Sequence, residues 1–112
     1  MPELLHLTHT GPWNEAQGSG VYAIPPGDPF IHCCSRAQLP GVVERFFPGS
    51  HGDVIVLTVD PDGLRVVVEA AADGFGDFPH IYEPLPIDNV TDVRPLAVVL
   101  AEEEDKDEDE ED

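Results

Sequence analysis

Residues 53–70 constrain the fold more than any other stretch of this chain. Residues 53–59 (DVIVLTV) are rich in β-branched residues and read as a strand. Asp60-Pro61-Asp62-Gly63 follows, a turn in which proline presets φ and glycine accepts φ values that other residues avoid. Residues 65–70 (RVVVEA) then read as a returning strand, so the segment predicts a β-hairpin.

The remaining elements are shorter. Residues 4–8 (LLHLT) read as a first strand. Thr10 is placed to cap a helix, with Pro12 in its first turn, where a missing N–H costs little. Trp13 and Ala16 share one face of that helix, and Gly18 and Gly20 end it. Residues 21–24 are extended, and Pro25, Pro26, Gly27, Asp28 and Pro29 form a loop that cannot be helical. Residues 30–33 read as a buried strand. Ser35 caps a second helix, in which Leu39, Val42, Val43, Phe46 and Phe47 follow a helical period up to Pro48 and Gly49. Pro40 and Gly41 weaken its first turn, so regular helix is expected from near Pro40. Trp13, Phe46 and Phe47 read as core residues.

After a Gly- and Asp-rich loop at 71–77, residues 78–82 are extended again, with Pro79 suggesting a sheet edge or a strand start. Residues 84–89 make a turn, and 90–100 are strand-like with an interruption at Pro95. The sum is one α+β domain over residues 1–100, with a mostly antiparallel sheet and two main helices. Residues 101–112 hold ten carboxylates and Lys106, a like-charge run that predicts a disordered acidic tail.

Charge narrows the partners. The net charge is −18, and residues 1–100 contain thirteen carboxylates, four arginines and no lysine. Phosphate-backbone binding relies on clustered Lys and Arg, so the composition argues against a general nucleic-acid binder. It still allows a small nucleotide held by one arginine and backbone amides. The acidity also predicts poor affinity for anionic membranes. No apolar run approaches the roughly 20 residues that span a bilayer. The N-terminus has no basic region followed by an apolar stretch, so no secretory signal is expected. Cys33 and Cys34 are the only cysteines, and a bridge between neighbours is strained. Two reduced thiols point to the cytoplasm.

Two short segments place histidine among apolar residues, FIHCCS at 30–35 and FPHIY at 78–82. Imidazole is the side chain best suited to hold or move a proton near neutral pH, and the strand-like setting suggests an inward-facing polar site. Further motifs appear in order: His6-Leu7-Thr8; Trp13, Ala16, Gly20 and Tyr22; Arg45-Phe46-Phe47; and Val56-Leu57 with Asp60. Together they resemble a bacterial family catalogued as domain of unknown function 952, across about residues 4–96. The serine usual after FIHC is Cys34 here, and the glycine usual after PHIY is Glu83. A carboxylate at that position could repel a phosphate or alter the loop.

That family resembles, at the level of fold, the ADP-ribosyltransferase and RNA 2′-phosphotransferase superfold. The resemblance implies a small split sheet with a cleft that binds NAD or a related nucleotide. It implies His6 on a ribose hydroxyl, since His6-Leu7-Thr8 stands where the first strand of such transferases often ends in H-G-S or H-G-T. Where many such transferases carry a catalytic glutamate, the late strand here offers His80 and Tyr82. His32, His80 and Tyr82 are therefore the catalytic candidates; His6, Thr8, Tyr22, Cys33, Cys34, Arg45 and Glu69 are the ligand-binding ones.

Each has a plainer role as well. The three histidines can be hydrogen-bonded core residues. Tyr82 can orient His80, stack on a base or simply pack. Glu69 can orient a histidine, act as a base or be solvated at a strand end. Arg45 can clamp a phosphate or pair with a carboxylate. Cys33 and Cys34 should point to opposite faces of their strand, either into a thiol mechanism or into inert packing. Neither C-x-x-C nor H-E-x-x-H spacing occurs to support a metal. The alternative to a transferase is a non-catalytic module that binds a basic protein partner through the acidic tail.

Overall fold

A computed structural model describes residues 4–47, 49, 52–70 and 76–102. Strand β1 (Leu4–His9) leads into helix α1 (Thr10–Ser19), followed by β2 (Val21–Tyr22) and β3 (Ile31–His32). Helix α2 (Leu39–Phe46) precedes β4 (Val54–Val59), β5 (Val66–Ala70) and β6 (Asp77–Ile81). Then come β7 (Leu85–Pro86), a 3-10 turn (Ile87–Asn89) and β8 (Val90–Pro95). A third helix, α3, covers residues 96–102. The domain is α+β, with antiparallel pairing in three small sheets: β1-β4-β8, β3-β6-β5 and β2-β7.

The expected hairpin is absent, although its turn is real. Asp62 N–H donates to Asp60 Oδ1 at 3.0 Å, Leu64 N–H to the Pro61 carbonyl at 3.0 Å, and Gly63 has φ 78°. Asn89 clamps the turn by donating to the carbonyls of Asp60 and Asp62. The chain then passes into a different sheet, because both edges of β4 are taken by β1 and β8. All six residues of β4 are buried, as a central strand covered on both faces requires.

β4 divides the core in two by simple alternation. Ile55, Leu57 and Val59 face a cluster with Leu4, Trp13, Tyr22, Ile31, Cys33, Ile81 and Leu85. Val54 and Val56 face the other cluster, with Leu5, Leu7, Cys34, Leu39, Val43, Leu96 and Val99. Cys33 and Cys34 thus enter different cores. Residues 96–100 were expected to be strand-like; residues 96–102 are helical, because Leu96 and Val99 sit one turn apart on the second core while Val98 faces out. Of the expected tail, Ala101 and Glu102 belong to this helix, with Glu102 bonded to Arg94, and residues 103–112 lie outside the described residues. So do residues 71–75 of the expected loop.

Three local expectations shift. Thr10 is the first helical residue and His9 takes the cap position; Gly20, at φ 91°, closes α1 by donating to Ala16. Ser35 caps a preliminary turn: its N–H donates to Gln38 Oε1 and its Oγ accepts from Gln38 N–H, the reciprocal pattern of a capping box. Pro79 lies in β6, the middle strand of its sheet. Its missing donor falls where β3 ends. Cys33 N–H still donates to the Pro79 carbonyl, and the chain then turns to Leu5, where Cys34 and Leu5 exchange two backbone bonds of 2.8 Å. That bridge stitches the two larger sheets together.

Candidate functional site

A hollow of about 770 Å³ opens where β1, α1, the 23–28 loop and α2 meet at this stitch. On β1, His6 and Thr8 are two residues apart and so share a face, and both reach Tyr22 of β2. Tyr22 Oη lies 3.0 Å from His6 Nε2 and 2.8 Å from Thr8 Oγ1. His6 Nδ1 lies 2.5 Å from the His32 carbonyl. A carbonyl only accepts, so Nδ1 carries the proton of the neutral ring and Nε2 is the acceptor. Tyr22 then donates to His6 and receives from Thr8. Protonation of His6 would reverse that chain, with Tyr22 donating to Thr8.

Burial sets the electrostatics. Desolvation drives the His6 pKa down to about 4, against the bond to His32 and the nearby Asp28 carboxylate, which favour the charged ring. Burial also raises Tyr22, partly offset by its bond to Thr8. His32 is held below its ordinary value, first by desolvation, with Asp28 opposing and His80 adding to the shift. Both cysteines line the hollow, yet burial pushes each thiol up to about 12. At neutral pH a thiol of that acidity is about one hundred-thousandth thiolate, which disarms it as a nucleophile. In the folded protein neither cysteine should react with iodoacetamide at pH 7, and both should react once denaturant is added. Stoichiometric labelling of the native protein would contradict this.

A second cluster meets the hollow at His32. The two histidine segments pair directly: His32 stands opposite His80 across β3 and β6, with ring centroids 5.4 Å apart. Phe30 stacks on His80 at 3.8 Å and touches the rings of His32 and Tyr82. On β5, Val67 is the partner of His80, which makes Glu69 its diagonal neighbour on the same face. Glu69 Oε1 lies 2.8 Å from His80 Nδ1 and also accepts from the Tyr82 hydroxyl. These bonds, Tyr82's first, lower the carboxyl pKa of Glu69 and raise that of the Tyr82 phenol. With Nδ1 bound to a carboxylate, His80 presents Nε2 as its free nitrogen, the arrangement that readies an imidazole as a base.

The sequence candidates therefore fall into two groups. His6, Thr8, Tyr22, His32, Cys33 and Cys34 line the hollow; Glu69, His80 and Tyr82 form the carboxylate–imidazole cluster behind it. Arg45 joins neither, its guanidinium lying 5.6 Å from the Phe46 ring centroid. Glu83 accepts the Arg65 backbone N–H at 2.6 Å and so shapes the loop end. Phe46, expected in the core, is 64% exposed and forms part of the hollow's wall with Phe47 and Val42. Glu15 and Asp28 were missed, and nothing in a loop aspartate marks it before folding. Phe30 was legible: two residues before His32 on a strand, it had to share that histidine's face. Among the described residues no three His, Cys, Asp or Glu side chains are grouped to hold a metal ion. No helix among them is long and apolar enough to cross a membrane.

A family model described as "Protein of unknown function (DUF952)" matches residues 7–93. The chain is similar to the crystal structure of protein CC0527 from Caulobacter crescentus, with 25% identity and a TM-score of 0.71 over 81% of this chain and 82% of that one. The solution NMR structure of CC0527 aligns with 26% identity and a TM-score of 0.73 over 85% and 84% of the two chains. No curated protein matches the chain.

Proposed function

The chain belongs to the DUF952 family of proteins of unknown function, and we propose that it is an ADP-ribosyltransferase-like domain of the cytoplasm that binds NAD or another ribonucleotide and carries out group transfer. The observation that carries this reading is the cross-strand meeting of His32 and His80, with Glu69 and Tyr82 behind them and the hollow in front. Tyr22, held in place by His6 and Thr8, accepts a hydrogen bond from a ribose hydroxyl. An imidazole of the His32–His80 pair takes the proton from an attacking hydroxyl as its oxygen bonds to the anomeric carbon. The bond from that carbon to the leaving group breaks, and its electron pair departs with the leaving group. Glu69 positions His80 and offsets the positive charge that the ring gains.

The test is an NMR titration with NAD, ADP-ribose and adenosine at millimolar concentration. Shifts at His6, Tyr22 and His32, lost in His32→Ala, are expected. Absence of shifts at these residues would sink the reading. The second reading rests on the ten carboxylates of residues 101–112, which suit a basic protein partner. Co-purification of one stoichiometric basic protein, together with a silent nucleotide titration, would favour it.

A further inference from the structure

The walls of the hollow carry a charge pattern that bears on what can enter. Among its lining residues are two carboxylates, Glu15 and Asp28, and no lysine or arginine. Its other titratable groups do not offset them. His6 is 5% exposed and neutral through burial, and His32 is held below its ordinary value for the same reason. His9 faces a carboxylate of its own, Asp53 Oδ1 at 3.1 Å. Asp28 is close enough to act on His6, Tyr22 and His32 alike. Much of the remaining wall is apolar or aromatic, from Pro12, Ile24, Val42, Phe46 and Phe47. Arg45, next to the lining residue Phe46 in sequence, sits against that ring and is not among the lining residues.

A phosphate or carboxylate brought inside would face two like charges, with no lysine or arginine among the described lining residues to receive it and with part of its hydration lost. A ring bearing no charge, or a positive one, would meet apolar walls, aromatic edges and an attractive field. We propose that the hollow selects the uncharged or cationic ring portion of its ligand and excludes anionic groups, with Asp28 and Glu15 as the residues that set this preference. This rests on the ligand-binding reading above. It makes the base or sugar the part that enters, and leaves any phosphate outside.

Four probes separate the two ideas: benzylamine, benzoate, adenosine and NAD, each titrated at low salt and followed by NMR. Benzylamine should shift the resonances of Tyr22, His32 and Phe46, and benzoate should bind on the order of tenfold more weakly. Asp28→Asn combined with Glu15→Gln, both exposed positions, should shrink that gap. Benzoate binding as well as benzylamine, or a gap unchanged in the double variant, would overturn the proposal. If benzylamine is preferred while adenosine and NAD stay silent, the charge rule stands and the ribonucleotide reading falls. If adenosine binds but benzoate matches benzylamine, the reverse holds. Silence from all four probes removes both.

Discussion

Replacing Leu57 with alanine should lower the unfolding free energy by about 3 kcal/mol, more than half of what a small domain can have to spare. Leu57 is fully buried at the middle of β4, the strand both larger neighbours pair with, and its side chain packs among Leu4, Trp13, Ile31 and Ile81. The loss combines transfer of the methyl groups with the cavity left where the neighbours do not close in. Val68→Ala offers the contrast. Val68 lies on β5, an edge strand, and is 64% exposed, so its loss should change stability by no more than about 0.5 kcal/mol. Denaturant unfolding of both variants decides it. If β4 and β5 formed the hairpin that their sequence suggests, the two would be neighbours in one sheet. Similar losses at the two positions would contradict the division of the core described above.

Acidification should destabilise the protein between pH 6.5 and pH 4, with His6 as the main cause. Its folded pKa of about 4 lies below the ordinary 6.5, so within that window the unfolded chain binds more protons than the folded one. Stability therefore rises with pH across the window. It is fully present above pH 6.5 and has dropped by about 3 kcal/mol once pH falls below 4. His32, shifted in the same direction, adds to the slope. Glu69 works in the same sense but at lower pH: its depressed carboxyl stabilises the fold above the ordinary value and loses this as pH drops through the folded one. His6→Gln keeps a donor and an acceptor but takes up no proton. Chemical unfolding across pH 4 to 7 should then show a flatter profile for the variant. An unchanged slope would mean that His6 is not the group that titrates.

Much of the site could be read along the chain. His32 and His80 stood out as imidazoles within apolar strand segments, and Phe30 and Tyr82 follow from the two-residue period on the same strands. Glu69 could be named as a candidate to orient a histidine, but its partner could not. It meets His80 only because β5 lies beside β6, eleven residues away and in register. The hollow was not legible at all. His6, Tyr22, Asp28 and Phe46 come from four separate segments, and only their packing makes them neighbours. Phe46 shows the limit of periodicity: helical spacing assigned it to the core, yet α2 turns its Leu39 and Val43 inward and leaves Phe46 facing the hollow.

By itself the sequence determined where strands, turns and helices form, because those depend on neighbours: β-branched runs, the φ limits of proline and glycine, and apolar spacing. The helix at 96–102, where residues up to 100 read as strand-like, and the short strand β7 within the expected turn at 84–89 show the boundary. Val98, Val99 and Leu100 favour a strand locally, and burial of Leu96 and Val99 on the second core overrides that preference. Tertiary structure alone decided which strands pair. Every strand edge presents the same backbone N–H and C=O groups, so hydrogen bonding cannot tell β4 from β6 as a partner for β5. Burial makes that choice, by giving β4 two covered faces and sending β5 to the edge beside His80.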